Sequence, residues 1–377
     1  MATTALFVFG AKSPLVHHNS SQPTEVFQID DPSSTTTGVP FDPYAVRLIQ
    51  NNPFTVNALV DYTLFSVTDV GETKPVVNCE IQNVICFSCT KDDTFLVRKD
   101  RMLYKIFYEN RNPIRVDSVF APVKVDLVWC SPSDNVFVYS RTDNQLYAKG
   151  MNKYGELGLK NTAEQTSFQL VPGVPSVGSL QAGASHTCFT TKDHRYFFAG
   201  RNAERQCLNV DFPTLPWFTE DTISMRGCSY VYVCDNVTLF AVNNGETDRL
   251  MMKGRWRDGQ QWPAEGVVVP LLEAIECTSS FCVYICASRS DPEFHELCVL
   301  DSSANNTVLM PRIDVSDIVL PLHSGFETVF IITDKEEEDF EDAVEHANQE
   351  QKSYLQRVGL MQAKPTFAPA AAQLLWH

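Results

Sequence analysis

The stretch QLYAKGMNKYGELGL, Gln145–Leu159, has a counterpart 50 residues further along the chain, RYFFAGRNAERQCL. In both stretches an apolar run ends in a glycine, and an asparagine follows two positions later. These pairs are Gly150 with Asn152 and Gly200 with Asn202. A fixed offset of this size is the signature of a repeat architecture. The sequence therefore predicts a structural repeat of about fifty residues.

The second half of the repeat is VGSLQAGASHTCFTTKD, Val177–Asp193, which is typical of two short strands joined by a turn of small residues. Weaker copies of the second strand recur before and after it. The positions that correspond to Thr187 are Ile85, Phe137, Val231, Cys282 and Thr328. A further short copy surrounds Thr55, so the pattern predicts about seven units.

The best-preserved unit reads G-x-N-x-Y-G-E-L-G over Gly150–Gly158 and A-G-x-x-H-T over Ala182–Thr187. It resembles the repeat of the regulator-of-chromosome-condensation family. The resemblance implies an all-β fold, a seven-bladed β-propeller with repeats of about fifty residues. It also implies structural roles for the repeat positions, which are Gly150, Asn152, Gly155, Gly158, Gly183, His186, Gly200 and Asn202. The motif is intact only over about residues 145–208. The sequence contains no Trp-Asp dipeptide, so a WD-repeat propeller is less favoured.

Ring closure follows from the physics of such a repeat, because a small sheet cannot bury both of its faces alone. The N-terminal run LFVFGAK, Leu6–Lys12, resembles Leu146–Asn152. We expect it to form the outer strand of a blade that strands near Val315–Thr333 complete, which makes residues 1–333 one propeller. Met102–Ile106 and Leu250–Gly254 are further candidates for this outer strand.

Residues 334–377 form a segment of different character. Asp334–Glu350 holds nine acidic residues and one lysine. The apolar positions predict one face of an acidic helix, and they include Phe340, Val344, Ala347, Leu355 and Val358. Three arrangements remain open: docking of the helix in a partner's groove, packing on the chain's own propeller, and a solvated tail.

The composition limits the class of partner. The chain of 377 residues has 46 acidic and 30 basic side chains, a formal net charge of −16. Such a field repels phosphate backbones and disfavours direct nucleic-acid binding, although a local basic patch remains compatible with it. The sequence shows no signal peptide and no apolar run that would insert in a membrane. We therefore expect a cytoplasmic or nuclear protein, and Arg98–Arg101 is too short to indicate a nuclear signal.

Candidate catalytic and metal-binding residues are few. Cys86 and Cys89 have metal-ligand spacing, but zinc takes four ligands and no second pair follows. These cysteines, and also Cys282 and Cys286, are predicted to be ordinary strand residues. The sequence contains no nucleophile elbow and no phosphate-binding glycine loop. We therefore predict no catalytic residue, no cofactor and no metal.

A basic and aromatic cluster is the best predicted contact for a protein or phosphate partner. Arginine and tryptophan are the residues enriched at binding hot spots. The cluster comprises Arg249, Lys253, Arg255, Trp256, Arg257 and Trp262. The alternative is a hairpin with solvated charges. Phe340, Val344 and Leu355 of the acidic helix are predicted as a second contact.

Two function classes remain. The first is a protein–protein interaction scaffold, either a monomer or a subunit of a hetero-complex, because propellers present a broad face of loops. The second, implied by the resemblance, is a guanine-nucleotide exchange factor for a small GTPase, which needs no nucleophile because it acts through differential binding. Residues 1–30 contain only Lys12 as a basic side chain besides two histidines, which argues against nucleosome binding. An enzyme is the third hypothesis, since catalytic triads are not local in sequence.

Overall fold

The structure is a computed structural model, and all of its regular elements in the described segments are β-strands. The described residues are 5–10, 20–28, 46–51, 55–68, 76–109, 112–208, 210–222, 228–234, 236–255, 262–278, 281–288, 294–301, 306–313, 318–325 and 328–333. The predicted acidic helix and its contact residues Phe340, Val344 and Leu355 lie outside them. The chain divides into two compact units, of which the second takes in Gln82–Leu271.

The second unit contains four antiparallel sheets, each of four strands that follow one another in the chain. Sheet I contains β7 Val84–Cys89, β8 Thr94–Arg98, β9 Leu103–Glu109 and β10 Asn112–Val119. Sheet II contains β11 Leu127–Cys130, β12 Val136–Ser140, β13 Gln145–Gly150 and β14 Gln165–Leu170. Sheet III contains β15 Val177–Ala182, β16 His186–Thr191, β17 Tyr196–Arg201 and β18 Thr214–Asp221. Sheet IV contains β19 Cys228–Cys234, β20 Val237–Asn243, β21 Thr247–Gly254 and β22 Val267–Pro270.

The first unit contains three further antiparallel four-stranded sheets, and one of them, sheet VII, combines the first two described strands of the chain with the last two. Sheet V contains β3 Val46–Asn51, β4 Thr55–Val60, β5 Thr63–Thr68 and β6 Val76–Gln82. Sheet VI contains β23 Leu272–Cys277, β24 Phe281–Ala287, β25 His295–Asp301 and β26 Asn306–Ile313. Sheet VII contains β27 Ile318–Gly325, β28 Thr328–Thr333, β1 Ala5–Gly10 and β2 Ser20–Gln28.

Strand β1 pairs with β28 in sheet VII, with Ala5 opposite Thr333 and Gly10 opposite Thr328. It is the third strand of the sheet, because β2 pairs with its other edge. The prediction that it is an outer strand was therefore wrong. The similar segment Leu146–Gly150 lies on β13, and the other two candidates, Met102–Ile106 and Leu250–Gly254, lie largely on β9 and on β21. All three are third strands of their sheets. Fourth strands are mostly solvent-facing, as in β14, so they have a weak apolar signal.

The predicted register of the repeats was correct in only some of the units. Thr187, Phe137, Cys282 and Thr328 lie on the second strands of their sheets, as the alignment requires. Ile85 and Val231, however, lie on first strands, β7 and β19. Adjacent strands in these units are both apolar and of similar length, so periodicity does not distinguish them.

The core lies between successive sheets, because each sheet buries its faces against its neighbours. Within the second unit, β7, β11, β15 and β19 contact one another from sheet to sheet. Between sheets II and III, Phe137, Leu157 and Phe189 are all fully buried. Burial of one such side chain stabilises a fold by about 1.5–3 kcal/mol, which is why a single sheet of this repeat does not suffice.

Candidate functional site

The loop between β13 and β14 is held together by the buried side chain of Asn152. Its Nδ2 donates to the carbonyl oxygens of Asn161 and Ala163, each at 3.0 Å. Its Oδ1 accepts from the amide of Leu157 at 3.1 Å. The residue has φ 52, a conformation that asparagine tolerates better than most residues. One amide group therefore fixes a fourteen-residue loop, Met151–Glu164, over the end of sheet II.

The loop between β17 and β18 repeats this arrangement around Asn202. Its Nδ2 donates to the carbonyls of Val210 and Phe212, at 3.2 and 3.0 Å. Its Oδ1 accepts from the amides of Cys207 and Leu208, both at 3.0 Å. The fifty-residue offset of the two asparagines thus corresponds to the same hydrogen-bonding role in successive sheets.

Glycines at the ends of third strands permit a close approach of the neighbouring turn. Gly150 and Gly200 have φ of 135 and 111, and a Cβ on Gly200 would lie 2.6 Å from the Ser185 carbonyl oxygen. Gly254, with φ 92, occupies the same place in sheet IV against Asn236. Gly254 was predicted to lie on a strand but not to be one of the repeat glycines. The Lys-Gly pair that it shares with Gly150 is the signal that would have revealed it.

The remaining repeat residues join neighbouring sheets. His186 is fully buried, and its Nε2 lies 2.9 Å from the Oγ1 of Thr238 in sheet IV. Because the Thr238 hydroxyl donates to the carbonyl of Gln206 at 2.7 Å, the imidazole N–H donates to Thr238. Gly155 and Gly158 pack on β18, and Gly183 packs on β19. None of these contacts leaves the imidazole facing solvent.

The predicted basic and aromatic cluster is not one surface. The ammonium of Lys253 lies 2.5 Å from the Asp221 carboxylate, and its side chain is only 11% exposed. Trp262 is 8% exposed. Neither residue therefore presents a contact to a partner, because both face the packed interior of the unit. Trp256 and Arg257 lie outside the described residues.

Two arginines of the cluster are exposed. Arg249 donates to the carbonyl of Glu265 at 2.6 Å. Arg255 lies 3.9 Å from a carboxylate oxygen of Glu204 on the neighbouring loop. The described surface of the predicted cluster is thus reduced to two partly engaged guanidinium groups.

A different basic and apolar surface lies at the start of β9 and the end of β10, and we call it the Phe120 patch: Arg98, Lys99, Met102, Phe120 and Lys124. Phe120 is 83% exposed and Met102 is 42% exposed. Phe120 follows Val119 and Met102 precedes Leu103, and Val119 pairs with Leu103 in the antiparallel register. The two residues therefore lie side by side, at the end of β10 and the start of β9.

Backbone contacts hold the Phe120 patch in place. The amide of Val125 donates to the Arg101 carbonyl at 2.9 Å. The ammonium of Lys124 lies 3.4 Å from the carbonyl of Asp100, and Arg98 stacks over Tyr104. The connector from β10 to β11 therefore packs on the turn between β8 and β9. The basic run Arg98–Arg101 was apparent from the sequence, whereas the exposed aromatic side chain beside it was not.

Cys86, Cys188 and Cys228 are poor nucleophiles and poor metal ligands. Burial raises the pKa of Cys86 and of Cys228 to about 11, and it raises the pKa of Cys188 well above its usual range. The Cys86 thiol donates to the carbonyl of Asp126, and Cys89 lies 3.5 Å from the Thr94 hydroxyl. Because the thiolate is the reactive form, these environments favour structural roles.

One cluster in sheet VI brings possible metal ligands together. The ligand atoms of Cys286, Glu296 and Cys298 lie within 4.8 Å of one another, and all three residues are buried. Glu296 accepts a hydrogen bond from the Ser288 hydroxyl at 2.8 Å. Three ligand atoms are fewer than the four that a structural zinc site uses. The cluster is therefore best described as a hydrogen-bonded part of the core.

Comparison with known proteins identifies the architecture. No family model matches the chain. It is similar to human WBSCR16, with a TM-score of 0.60 and 10% identity over 89% of this chain and 99% of that one. It is also similar to Prp20p of Saccharomyces cerevisiae, whose structure was described with its binding to Gsp1p and histones, with a TM-score of 0.59, 11% identity, and coverage of 92% and 95%. Its fold is that of the regulator-of-chromosome-condensation propellers. The all-β propeller predicted from the repeat is thereby confirmed.

Part of this propeller also matches curated proteins in sequence. It is 31% identical to the X-linked retinitis pigmentosa GTPase regulator of Mus musculus over 136 residues, and 29% identical to that of Homo sapiens over 133 residues. These matches cover 32% of this chain and 13% of each relative, so the chain spans only a small part of their length. In the described part of the propeller, no helix has the length and apolar character needed to cross a bilayer.

Proposed function

We propose that the chain is a protein–protein interaction scaffold that binds its partner at the surface of the propeller. The observation that carries this proposal is the Phe120 patch. Phe120 is 83% exposed and lies beside Met102, which is 42% exposed. Adjacent exposed apolar side chains rimmed by polar residues are typical of interaction sites. Burial of such an aromatic side chain by a partner contributes about 1.5–3 kcal/mol.

The charge of the patch supports a partner with acidic groups. Arg98, Lys99 and Lys124 outnumber the neighbouring carboxylate of Asp100 in this region, whereas the whole chain has a net charge of −16. A local basic surface on an acidic protein orients an oppositely charged partner during encounter and repels most others. The expected cytoplasmic or nuclear location stays a prediction.

A second candidate function is regulation of a small GTPase. It is supported by the sequence match to proteins named as GTPase regulators and by the similarity to Prp20p, whose structure was described with its binding to Gsp1p. The chain would act by binding the nucleotide-free GTPase more tightly than the nucleotide-bound one, so that nucleotide release becomes favourable. This mechanism requires no catalytic side chain.

The test is affinity capture with the full chain and two matched variants. Phe120→Ser removes the aromatic group of the patch, and Phe212→Ser removes an aromatic group that is 67% exposed on the opposite loop face. Loss of a captured protein with Phe120→Ser alone supports the proposal. Loss with Phe212→Ser alone moves the contact to the loop face and overturns it.

Nucleotide release separates the two functions. A panel of purified small GTPases loaded with a fluorescent nucleotide is mixed with the full chain. Acceleration of release by the wild type, and less by Phe120→Ser, favours the exchange-factor function. A stable captured complex without acceleration favours the scaffold.

A further inference from the structure

Two sheets of the second unit differ at equivalent positions, and the register of their strands defines the equivalence. In sheet III the first residue of β17, Tyr196, pairs with Asp221 of the fourth strand. In sheet I the first residue of β9, Leu103, pairs with Val119 of the fourth strand. Val119 therefore stands where the other sheet has the Asp221 carboxylate.

Each of these positions faces a lysine of the next sheet. Lys253 and Lys149 are equivalent, because each precedes the third-strand glycine of its own sheet. The Lys253 ammonium is neutralised by Asp221 at 2.5 Å and lies 5.4 Å from the centre of the Phe198 ring. The two side chains are 11% and 3% exposed, so this is a buried and matched ion pair.

The surroundings of Lys149 contain a second cation instead. Lys105 occupies the place that Phe198 has in sheet III, and it is paired with Asp93 at 2.6 Å. Lys149 lies over the rings of Phe95 and Phe168, at 5.3 and 4.9 Å from their centres. Within the segments that the structure describes, no carboxylate is within ion-pair distance of its ammonium. Burial, and then the charge of Lys105, lower the pKa of Lys149.

A cavity of about 210 Å³ adjoins this ammonium between sheets I and II, and its lining includes Phe95, Lys105, Val119, Lys149 and Gln165. Asp93 and Asp134 also line it. Asp93 is already paired with Lys105, and the Asp134 carboxylate is hydrogen-bonded to the Thr90 side chain. Sites for whole small molecules usually measure about 300–1,000 Å³. This cavity is smaller, and it suits a single side chain.

We propose that this cavity receives the carboxylate of a glutamate or aspartate side chain from a protein partner, beside Lys149. The acceptor would take the place that Asp221 has beside Lys253. The inference rests on the proposed scaffold function and names a chemical requirement for the partner. A charge-assisted hydrogen bond to a lysine that lacks a counter-ion is stronger than one between neutral groups.

The experiment uses the full chain with its lysines dimethylated with ¹³C, which keeps their positive charge and makes each one visible by NMR. The probe is the capped peptide acetyl-Gly-Glu-Gly-amide, and its glutamine counterpart is the control. Lys149→Met and Lys253→Met assign the two signals. We expect the glutamate peptide to shift the Lys149 signal at roughly tenfold lower concentration than the glutamine peptide. The Lys253 signal should stay unchanged.

Val119→Asp provides the decisive variant, because it supplies in sheet I the carboxylate that sheet III already has. We expect it to shift the Lys149 signal without any peptide and to abolish the response to the glutamate peptide. Val119 is only half-buried on an outermost strand, and a thermal melt checks the fold. Lys149→Met, which keeps the aliphatic stem, is a second variant: in a sample whose phenylalanine rings are also labelled with ¹³C, it should remove the peptide-induced shifts at the ring of Phe95.

Three results would overturn the inference: equal responses to both peptides, no response of Lys149 to the glutamate peptide, and an unchanged response in Val119→Asp. A response to inorganic phosphate without one to the glutamate peptide would also overturn it, in favour of a free anion. Partner capture that depends on Phe120 but not on Lys149 would reject this inference alone. Partner capture that depends on neither Phe120 nor Lys149 would also reject the proposed scaffold function.

Discussion

Replacement of Asn152 by alanine tests whether one buried amide holds the loop between β13 and β14. The substitution removes the bonds to the carbonyls of Asn161 and Ala163 and the bond from the amide of Leu157. All three partners are backbone groups of the same loop. Because the side chain of Asn152 is fully buried, water does not replace it without opening the loop.

The magnitude follows from the number of bonds and from the backbone conformation. Each intramolecular hydrogen bond contributes about 0.5–1.5 kcal/mol net, so three contribute about 3 kcal/mol. Alanine at φ 52 adds about 1 kcal/mol of backbone strain. The free energy of opening the loop should therefore fall by about 4 kcal/mol, which corresponds to a roughly thousandfold increase in the open population.

Native-state hydrogen exchange measures this opening at one suitable amide. The Gly158 amide donates to the Gly155 carbonyl at 2.9 Å and makes no bond with Asn152, so it reports on the loop and not on its own lost acceptor. The Cys207 amide in the sister loop is the internal control. Exchange at Gly158 within about threefold of the wild type would refute the reasoning. Equal acceleration at Cys207 would show global destabilisation instead.

Three further predictions concern glycine packing, the buried ion pair and a buried thiol. In urea denaturation, Gly254→Ala should lower the free energy of unfolding by several kcal/mol more than Gly245→Ala does. Both glycines have positive φ, but an added Cβ meets backbone atoms only at Gly254. Similar decreases in the two variants would contradict this. In thermal melts, Lys253→Met should lower the free energy of unfolding by about 3–5 kcal/mol, because it leaves Asp221 buried and unpaired. The double variant with Asp221→Leu should recover part of this stability. A single variant as stable as the wild type would disprove the pairing. The pKa of Cys86 rises in the folded state from about 9 to about 11, so the unfolded chain loses this proton first and stability should fall as the pH rises through that range. Denaturation midpoints in Cys86→Ala should fall less steeply over the same range, and an identical pH dependence would exclude this thiol as the cause.

The repeat itself was predictable because its constraints act on the backbone. Gly150 and Gly200 meet a neighbouring turn, and Asn152 and Asn202 cap equivalent loops, so the residue types recur at a constant offset. Gly254 was missed because it follows Gly200 by 54 residues rather than 50, and the three strands between them are longer than their counterparts between Gly150 and Gly200. The order of the strands within a sheet was harder still, since first and second strands are both apolar and pack on similar neighbours.

The interaction surfaces were less predictable, because exposure depends on where a side chain meets other elements. Phe120 follows an apolar strand residue and has the pattern of a core position, yet it projects beyond the end of β10. Lys253 has the pattern of a surface cation, yet it is buried beside Asp221 on the preceding sheet. Both outcomes depend on contacts between residues that are distant in sequence, and residue type alone does not encode them.

The pairing of β1 with β28 has a consequence for how the protein is made. Strand β28 leaves the ribosome about 320 residues after its partner β1. At about 5–20 residues per second, this interval is roughly 15 s to a minute. Throughout it, the nascent chain presents one unpaired edge of β1, to which other strands in the cell can add. Sheet VII is therefore completed only after the strands of the other six sheets have been synthesised, and the speed of synthesis limits how long that edge must be protected.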